Sequence, residues 1–541
     1  MSSERRSRRN KKRLRLAARM PRDCRYLLAL LATGAQLFAG CTGPREYIRN
    51  GFKVGPNYAK PAAAVAPNWI DDADQRVRNE EDDLAGWWTV FGDPTLNELI
   101  VRANSQNLTL REAGFRILAA RAQFGFAIGN MFPQYQAAEG GYRRFGIGDN
   151  FFDQWSSGFS LAWELDFWGR FRRAVLSAEA TLDATIEDYD AVLVTLIGDV
   201  ASNYVSYRTS QERIRLLTRI VEVQQGVLTF ITEQADAGKV SDLDRFQARS
   251  DLRQSEAQLF ELRTQLRQAQ NNLCILMGMP VEDLSTLLDA NPESNIPRTP
   301  DYVVVGIPAD LLRRRPDIRR AERNAAAQAE LIGIAAADLY PALSLTGTLG
   351  WQAANLSDLF KSQSLNSSVG PVFQWNILNY GRIRNNILFQ EAQFQALVAN
   401  YQNTVLNADL EVENGIVSFL NSQERARNLE LSVEDSTVAL EGVIQQYEGG
   451  LVDFNRYAVI QQSLIQQLDL WAQSRGQIAL SLIDVYRALG GGWQIRLTPA
   501  PDKQGILSPG PLPQPESLDA APAEAPADAP LPPPAPLPPT E

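Results

Sequence analysis

Few residues of this chain have the type and spacing that enzymatic chemistry needs. The 541-residue sequence contains no histidine, the commonest general base and metal ligand, and only three cysteines, Cys24, Cys41 and Cys274. No zinc-ligand spacing, P-loop or dinucleotide-binding fingerprint occurs. The sequence therefore predicts no enzyme, cofactor or metal ion, although a site built from Asp, Glu, Lys or Ser would leave no such signature.

Cys41 has the setting of a modified residue. It follows a basic segment and the apolar stretch 26–40, which is too short to span a bilayer and predicts a secretory signal. The sequence Phe38-Ala39-Gly40-Cys41 resembles the lipobox of bacterial lipoproteins, although leucine is usual where Phe38 stands. This resemblance implies a palmitate-bearing Cys41, and Thr42 implies sorting to the outer membrane. An ordinary signal cut beside an incidental cysteine is the alternative.

Charge differs between the leader and the rest of the chain. Residues 1–40 carry 11 Lys and Arg against 2 Asp and Glu, which leaves 42 basic and 61 acidic residues for the remainder. A mature chain that acidic is not expected to bind nucleic acid through its overall field. Because the basic segment is unusually long, we predict that translation starts at Met20 and that residues 1–19 are an extension.

An internal duplication organises the chain. The sequence Ser210-Gln-Glu-Arg213 recurs as Ser422-Gln-Glu-Arg425, 212 residues later, and Gly238 falls on Gly450 with the same offset. The register holds without a gap for more than a hundred residues. The two halves are therefore expected to be structurally equivalent.

Each half is predicted to contain a long helix. From Ile186 to Ala235, alternating steps of three and four residues fall mainly on apolar side chains, and the pattern recurs from Val398 to Tyr447. A sustained period of 3.5 residues indicates helices packed in a coiled-coil manner. A helix over 170–236 would be about 100 Å long, which suits a tube or rod rather than a globule.

A glycine turn follows each long helix. Glycine can end a helix in the left-handed conformation, and Ser241 or Asp453 can then cap the returning helix. Each half is thus predicted to be a helical hairpin with a tight tip. The tip residues are Gly238, Lys239, Val240 and Ser241 in the first half, and Gly450, Leu451, Val452 and Asp453 in the second.

Before each long helix the apolar period changes to two. Alternation predicts strands over 159–167, 343–351 and 369–377, with a weaker counterpart over 135–143. Such strands are typical of outer-membrane barrels, and soluble sandwiches alternate in the same way. The aromatic residues expected to face a membrane are Trp163, Phe167, Trp351, Phe373 and Trp375.

Four strands cannot close a barrel, and lipid does not tolerate open strand edges. The chain is therefore expected to oligomerise. Two chains would give about eight strands and little lumen, whereas three would give about twelve and a hole. The strands alone do not decide between these numbers.

Four motifs extend these observations to a known family. The chain resembles an outer-membrane factor of the TolC/OprM type, in the NodT-like lipoprotein branch, over residues 41–495. The resemblance implies a mostly α fold with a small β part: a trimeric α-barrel of long coiled-coil-like helices and a twelve-stranded outer-membrane β-barrel with four strands per subunit. The motifs are the lipobox, Val54-Gly-Pro-Asn-Tyr58, Trp87-Trp88 with Phe91-Gly-Asp-Pro94, and Arg314-Arg-Pro-Asp317. Two proline-poor helical runs, over 96–130 and 308–338, are expected to stack end to end on the returning helices and complete the α-barrel.

The same resemblance implies a function and partners. The function is the outer-membrane exit channel of a tripartite efflux pump that passively conducts drugs or other small toxic molecules. The partners are two further copies, a periplasmic adaptor at the tips, an RND-type inner-membrane transporter and outer-membrane lipid. Asp244 and Arg456 are candidates for an ion pair that closes the entrance, against the alternative of two solvated charges. A duct for type I protein secretion, or a periplasmic scaffold without a pore, are the alternative functions.

The expected organisation follows from these features. It comprises a signal peptide over 1–40, a lipidated segment over 41–95 around the equatorial region, a first repeat over 96–280, a connecting equatorial segment over 281–307, a second repeat over 308–495, and a disordered tail rich in Pro and Ala over 496–541.

Overall fold

The computed structural model describes residues 44–80, 84–289 and 295–497. The predicted signal with its extension, the predicted lipidation site Cys41 and the tail from residue 498 onwards lie outside the described residues. The helices of the described part are α1 Pro44–Arg49, α2 Pro94–Gln106, α3 Leu108–Gly129, α4 Arg170–Asp236, α5 Asp242–Leu276, α6 Ser285–Leu288, α7 Leu311–Arg314, α8 Pro316–Ala337, α9 Arg382–Glu448 and α10 Phe454–Ala488. The strands are β1 Val77–Arg78, β2 Tyr135–Ile147, β3 Asn150–Glu164, β4 Val303–Val304, β5 Ala342–Ala353 and β6 Leu365–Gln374.

The chain divides into two compact units. The first draws on the described residues of 44–59, 127–177 and 328–393, and it contains the four-stranded sheet. The second draws on the described residues of 60–126, 178–327 and 394–497, and it contains the hairpin tips and the short parallel pair of β1 with β4. None of the helices in the described ranges is both long enough and apolar enough to cross a membrane.

The helix bounds confirm the predicted duplication. Helices α4 and α9 are each 67 residues long, and the returning helices α5 and α10 are each 35 residues long. All four boundaries of the first hairpin recur 212 residues later in the second. Every position of the predicted apolar ladder, from Ile186 to Ala235 and from Val398 to Tyr447, is buried or half-buried. The ladder is therefore the packing seam of the long helices.

The helical runs predicted over 96–130 and 308–338 are each interrupted, which corrects that prediction. In the first half Asn107 separates α2 from α3, and its side-chain oxygen accepts a hydrogen bond from the Leu110 N–H at 2.8 Å. The Asn107 side-chain amide also donates to the Leu276 carbonyl at 2.8 Å. The break in the helix thus lies where the end of α5 meets the start of α3.

The second half is interrupted at the equivalent place by Arg315. Proline disfavours helical backbone in the residue before it, and Arg315 is extended before Pro316. The Arg315 guanidinium donates to the Ala488 carbonyl at 2.6 Å, so the end of α10 meets the start of α8. Both returning helices therefore abut the start of another helix, as expected, but the helices they meet begin later than predicted.

The four-stranded sheet is antiparallel throughout, in the order β2-β3-β5-β6. Strand β3 begins at Asn150 and ends at Glu164, earlier than the predicted run over 159–167. It ends there because the Asp166 carboxylate caps the first turn of α4, accepting hydrogen bonds from the backbone N–H groups of Phe171 and Arg172 at 2.9 and 3.0 Å. The weak run over 135–143 is a full strand that continues to Ile147.

The tryptophan motif of the resemblance is part of the core of the second unit. Trp87 and Trp88 are buried, and Trp87 stacks on Tyr486 of α10 at 5.4 Å between ring centroids. Asp93 caps α2 by accepting from the Thr95 N–H at 2.9 Å, and it also accepts from the Tyr204 hydroxyl at 2.6 Å. The motif therefore joins α2, α4 and α10, and its role is structural.

Candidate functional site

The first candidate site is the turn between α4 and α5, the first tip. Gly238 has a φ of +71°, and its N–H donates to the Ala235 carbonyl at 2.9 Å. The Lys239 N–H donates to the Gln234 carbonyl at 2.9 Å, which completes a Schellman motif. The Ser241 hydroxyl accepts from the Leu243 N–H at 3.1 Å and caps α5. The turn is therefore fixed by its own hydrogen bonds, while Lys239 remains exposed.

The second tip repeats this backbone 212 residues later. Gly450 has a φ of +69°, and the Leu451 N–H donates to the Gln446 carbonyl at 2.8 Å. Asp453 caps α10 by accepting from the Arg456 N–H at 3.0 Å. The Leu451 side chain is 78% exposed. Val240 and Val452, one in each tip, are half-buried and pack against the same apolar cluster.

The side chains behind the two tips differ in chemistry. Behind the first tip, Arg245 pairs with Asp242 at 2.6 Å and with Asp236 at 3.5 Å, which links α5 to the end of α4. Behind the second tip, the equivalent positions of Arg245 and Asp242 hold Tyr457 and Phe454, whose rings lie 5.5 Å apart. The two tips therefore share one backbone conformation, but ion pairs lie behind the first tip and an aromatic pair lies behind the second.

Asp244 and Arg456, the proposed gate residues, lie in the first turns of α5 and α10. Among the described residues, no ion pair joins Asp244 to Arg456. Asp244 lies near Tyr447, since burial raises the pKa of the Tyr447 phenol and the Asp244 carboxylate adds to that rise. The Asp244–Arg456 gate pair stays a prediction, as does the alternative of two solvated charges.

The second candidate site is the four-stranded sheet, whose two faces differ. Paired residues of antiparallel strands share a face, and the row of Phe159, Leu349 and Ser367 belongs to the apolar one. The adjacent row of Ser160, Thr348 and Ser368 belongs to the polar one. The apolar face carries Trp155, Phe159, Leu161, Trp163, Leu343, Leu345, Leu349, Trp351, Leu365, Val369 and Phe373.

The predicted membrane-facing aromatics divide into two groups. Trp163, Trp351 and Phe373 lie within strands on the apolar face. Phe167 and Trp375 lie beyond the ends of β3 and β6, in the segments that lead into the long helices. That all five face lipid stays a prediction.

The segment that follows Cys41 is bound to the end of the sheet. The Tyr47 hydroxyl of α1 donates to the Phe167 carbonyl. The Arg172 guanidinium donates to the Gly51 and Phe52 carbonyls, each at 2.7 Å. This contact was not predicted, because it depends on a left-handed turn at two successive residues, with φ of +63° at Gly51 and +58° at Phe52. In the described part of the chain, no group of three or more Cys, Asp and Glu residues is arranged to hold a metal ion.

These features define a channel-forming subunit with two helical hairpins and a sheet. Residues 99–279 and 307–491 match the outer membrane efflux protein family. The chain belongs to this family and is an outer-membrane efflux channel, which confirms the resemblance and the predicted class of function.

Individual relatives show the same relationship. The chain is 30% identical to outer membrane protein OprJ of Pseudomonas aeruginosa over 448 residues, 81% of this chain and 93% of that protein. It is 30% identical to nodulation protein T of Rhizobium leguminosarum bv. viciae over 404 residues, 73% of this chain and 82% of that protein. The solved structure of the outer-membrane channel OprN superposes with a TM-score of 0.76 at 30% identity, covering 82% of this chain and 99% of that one. The predicted fold, mostly helical with a small sheet, is confirmed.

Proposed function

We propose that the chain works as a homotrimer whose sheets close one barrel in the outer membrane and whose long helices line a periplasmic conduit. Strands β2 and β6 are the outer strands of the sheet, and their outer edges pair with no other strand of the described residues. Unpaired backbone groups at a strand edge are too costly to leave in lipid, so neighbouring copies must pair there. Three copies give about twelve strands and an open lumen, whereas about eight strands would be filled by side chains.

Within this assembly the chain is the passive exit duct of a tripartite efflux pump. The polar face of the sheet, which carries Ser160, Thr346 and Ser368, lines the lumen, and the apolar face meets lipid. A duct of this kind carries out no reaction, and small toxic molecules reach it from an inner-membrane transporter of the RND type. Membership of an efflux family supports this function over a duct for protein secretion.

The tips are the proposed docking points for a periplasmic adaptor. Six of the eight tip residues are exposed, and hydrogen bonds within each turn fix the backbone before any partner binds, which lowers the entropic cost of docking. The ion pairs behind Lys239 and the aromatic pair behind Leu451 would let one adaptor distinguish the two hairpins.

A lipid anchor at Cys41 is the third part of the proposal. Helix α1 begins three residues after Cys41 and is fixed to the corner between β3 and α4 through Tyr47. The Cα of an acylated Cys41 would therefore be held within about 11 Å of the start of α1, close to the end of the sheet. The anchor would attach the mature chain to the periplasmic leaflet of the outer membrane.

Photocrosslinking in intact cells tests the docking model. A photoreactive residue replaces Lys239 or Leu451, and the exposed Arg427, about 35 Å from the tip along α9, serves as the control position. We expect both tip positions, but not the control, to capture the adaptor of a proton-driven efflux system. Capture of an adaptor from a protein exporter would replace efflux by secretion. Absence of capture at both tips would refute docking there.

A further inference from the structure

The two halves of the chain share an aromatic contact site, but only one of the two equivalent contacts forms within a single chain. In each half the site consists of two segments of the first unit, a junction and a corner. We define the junctions as residues 130–133, before β2, and 338–341, before β5. We define the corners as residues 167–169, after β3, and 379–381, after β6.

The two junctions have the same geometry. In the first, the Met131 and Phe132 N–H groups donate to carbonyls three residues earlier at 3.0 and 3.1 Å. In the second, the Leu339 and Tyr340 N–H groups do the same at 3.2 and 3.1 Å. Each junction ends in proline, so Phe132-Pro133 corresponds to Tyr340-Pro341.

Each junction also receives a tryptophan from the C-terminal end of the second strand of its own half, Trp163 within β3 and Trp375 just after β6. The Trp163 indole N–H donates to the Met131 carbonyl at 3.2 Å, and the Trp375 indole N–H donates to the Leu339 carbonyl at 3.0 Å. The two tryptophans are 212 residues apart, as the duplication requires. Strand end and junction are therefore docked alike in both halves.

The corners correspond as well. Gly169 and Gly381 share a φ of +81°. Each glycine carbonyl accepts a hydrogen bond at 2.9 Å from the N–H four residues later, in the first turn of α4 or α9. The residues before these glycines, Trp168 and Tyr380, are therefore equivalent.

In the chain, the first corner packs against the second junction. The Trp168 ring stacks on Tyr340 at 4.4 Å between centroids, and the Trp168 indole N–H donates to the Pro341 carbonyl at 2.7 Å. This contact crosses the boundary between the halves, where β3 pairs with β5. By the symmetry of the repeat, the second corner should pack against a first junction.

That second contact is absent from the described residues. Tyr380 is 94% exposed and Phe132 is 63% exposed. Tyr380 also has a left-handed φ of +49°, which a residue other than glycine adopts rarely and which surrounding contacts normally stabilise. The two residues flank β6 and β2, which two intervening strands separate by about 14 Å. Tyr380 therefore cannot repeat the Trp168 contact with Phe132 of its own chain.

We propose that Tyr380 stacks on Phe132 of a second copy of this chain, as Trp168 stacks on Tyr340 within one chain. The proposal rests on the self-assembly described under the proposed function, and it adds the residues that fix each subunit seam. The contact forms beside the β6–β2 pairing between copies, at the helix-proximal end of the sheet. Three such aromatic pairs would complete a ring of six, alternating within and between subunits.

Paired cysteines test the contact in the full-length protein in outer membranes. The variant Phe132→Cys with Tyr380→Cys is treated with a short bis-thiol reagent. The variant Trp168→Cys with Tyr340→Cys is the matched positive control, because it has the same expected geometry within one chain. The variant Ile147→Cys with Tyr380→Cys is the negative control, because Ile147 lies at the far end of β2, about 40 Å from its start.

We expect the Phe132–Tyr380 variant to give covalent dimers and trimers, and the negative control to remain monomeric on a denaturing gel. No covalent oligomer from protein that native mass spectrometry shows to be trimeric would overturn this contact and leave the proposed function intact. A monomer by native mass spectrometry would overturn both. Should the cysteines prevent folding, benzoylphenylalanine at position 380 provides a conservative aromatic probe. In mixed heavy and light chains it should capture the peptide containing Phe132 from the other isotope, and capture confined to one isotope would refute the proposal.

Discussion

We predict that the Arg315 side chain makes the main stabilising contact between the end of α10 and the start of α8. Its side chain is enclosed, with 7% of the residue exposed. The guanidinium donates to the Ala488 carbonyl at 2.6 Å and to the Glu411 carboxylate at 2.7 Å, and it binds Asp317 through two nitrogens at 3.0 and 2.7 Å. Replacement by alanine leaves one helix-terminal carbonyl and two carboxylates without their shared donor.

The expected cost of Arg315→Ala follows from this geometry. Breaking a buried ion pair costs about 3–5 kcal/mol, and because Glu411 and Asp317 keep partial contact with water we expect the lower end, about 3 kcal/mol. For roughly 450 ordered residues the unfolding entropy is about 0.9 kcal/mol/K, so the Tm should fall by about 3 °C. Far-ultraviolet circular dichroism of detergent-purified protein measures this shift.

Arg313→Ala is the matched control, because Arg313 directly precedes the same motif. Arg313 is exposed and pairs only with Asp310, at 2.9 Å, among the described residues. An exposed ion pair contributes at most about 1 kcal/mol, so the Tm should change by less than about 1 °C. Equal Tm shifts for the two variants would refute the assignment of Arg315 as the junction bond.

The remaining predictions concern three other positions in the second unit. Gly278→Ala should destabilise the protein more than Gly238→Ala, because both glycines have a φ of +71° but only at Gly278 would a new Cβ overlap a backbone carbonyl. We expect the free energy of unfolding to fall by about 3 kcal/mol for Gly278→Ala and by about 1 kcal/mol for Gly238→Ala, measured by thermal unfolding. Equal losses would contradict the predicted overlap. Asp190→Asn should cost about 3 kcal/mol, because Asp190 is 1% exposed and accepts two hydrogen bonds from Arg496 at 2.7 and 2.9 Å; an unchanged Tm would show that the charge is dispensable. Burial raises the pKa of Tyr207 to about 12, so its neutral form stabilises the fold fully below about pH 10, and that stabilisation is lost as the pH rises towards 12. Tyr207→Phe should therefore lose less stability than the natural protein across this range, and identical alkaline titrations would rule the effect out.

Periodicity predicted the long helices because their packing repeats over many turns. The ladder from Ile186 to Ala235 placed α4, and the glycine turn placed its end within two residues of Gly238. The same apolar periodicity, 212 residues later, predicted α9 and the turn at Gly450. A signal that long averages out individual polar residues, so few alternatives remained.

Short elements were less predictable because one local contact decides where they end. The Asp166 cap ends β3 before Leu165, and Arg315 with Pro316 delays the start of α8. Each of these boundaries depends on the contacts of a single side chain. The attachment of α1 to the corner after β3 was not predicted, since Arg172 donates to backbone carbonyls about 120 residues away.

The candidate site was predictable in its backbone and not in its contacts. Glycine at 238 and 450 identified both tips, since a left-handed helix end favours that residue. The ion pairs of Arg245 and the ring contact of Tyr457 depend on which side chains face each other behind each tip. The pairing suggested for Asp244 and Arg456 stays a prediction, since sequence equivalence does not by itself place two side chains in contact.

Native mass spectrometry of the full-length protein, extracted from the outer membrane, tests whether the chain forms a lipidated trimer. We expect a single assembly of three chains, each carrying the mass of acyl groups on Cys41. A monomer or dimer without acyl mass would contradict both the closed barrel and the lipid anchor.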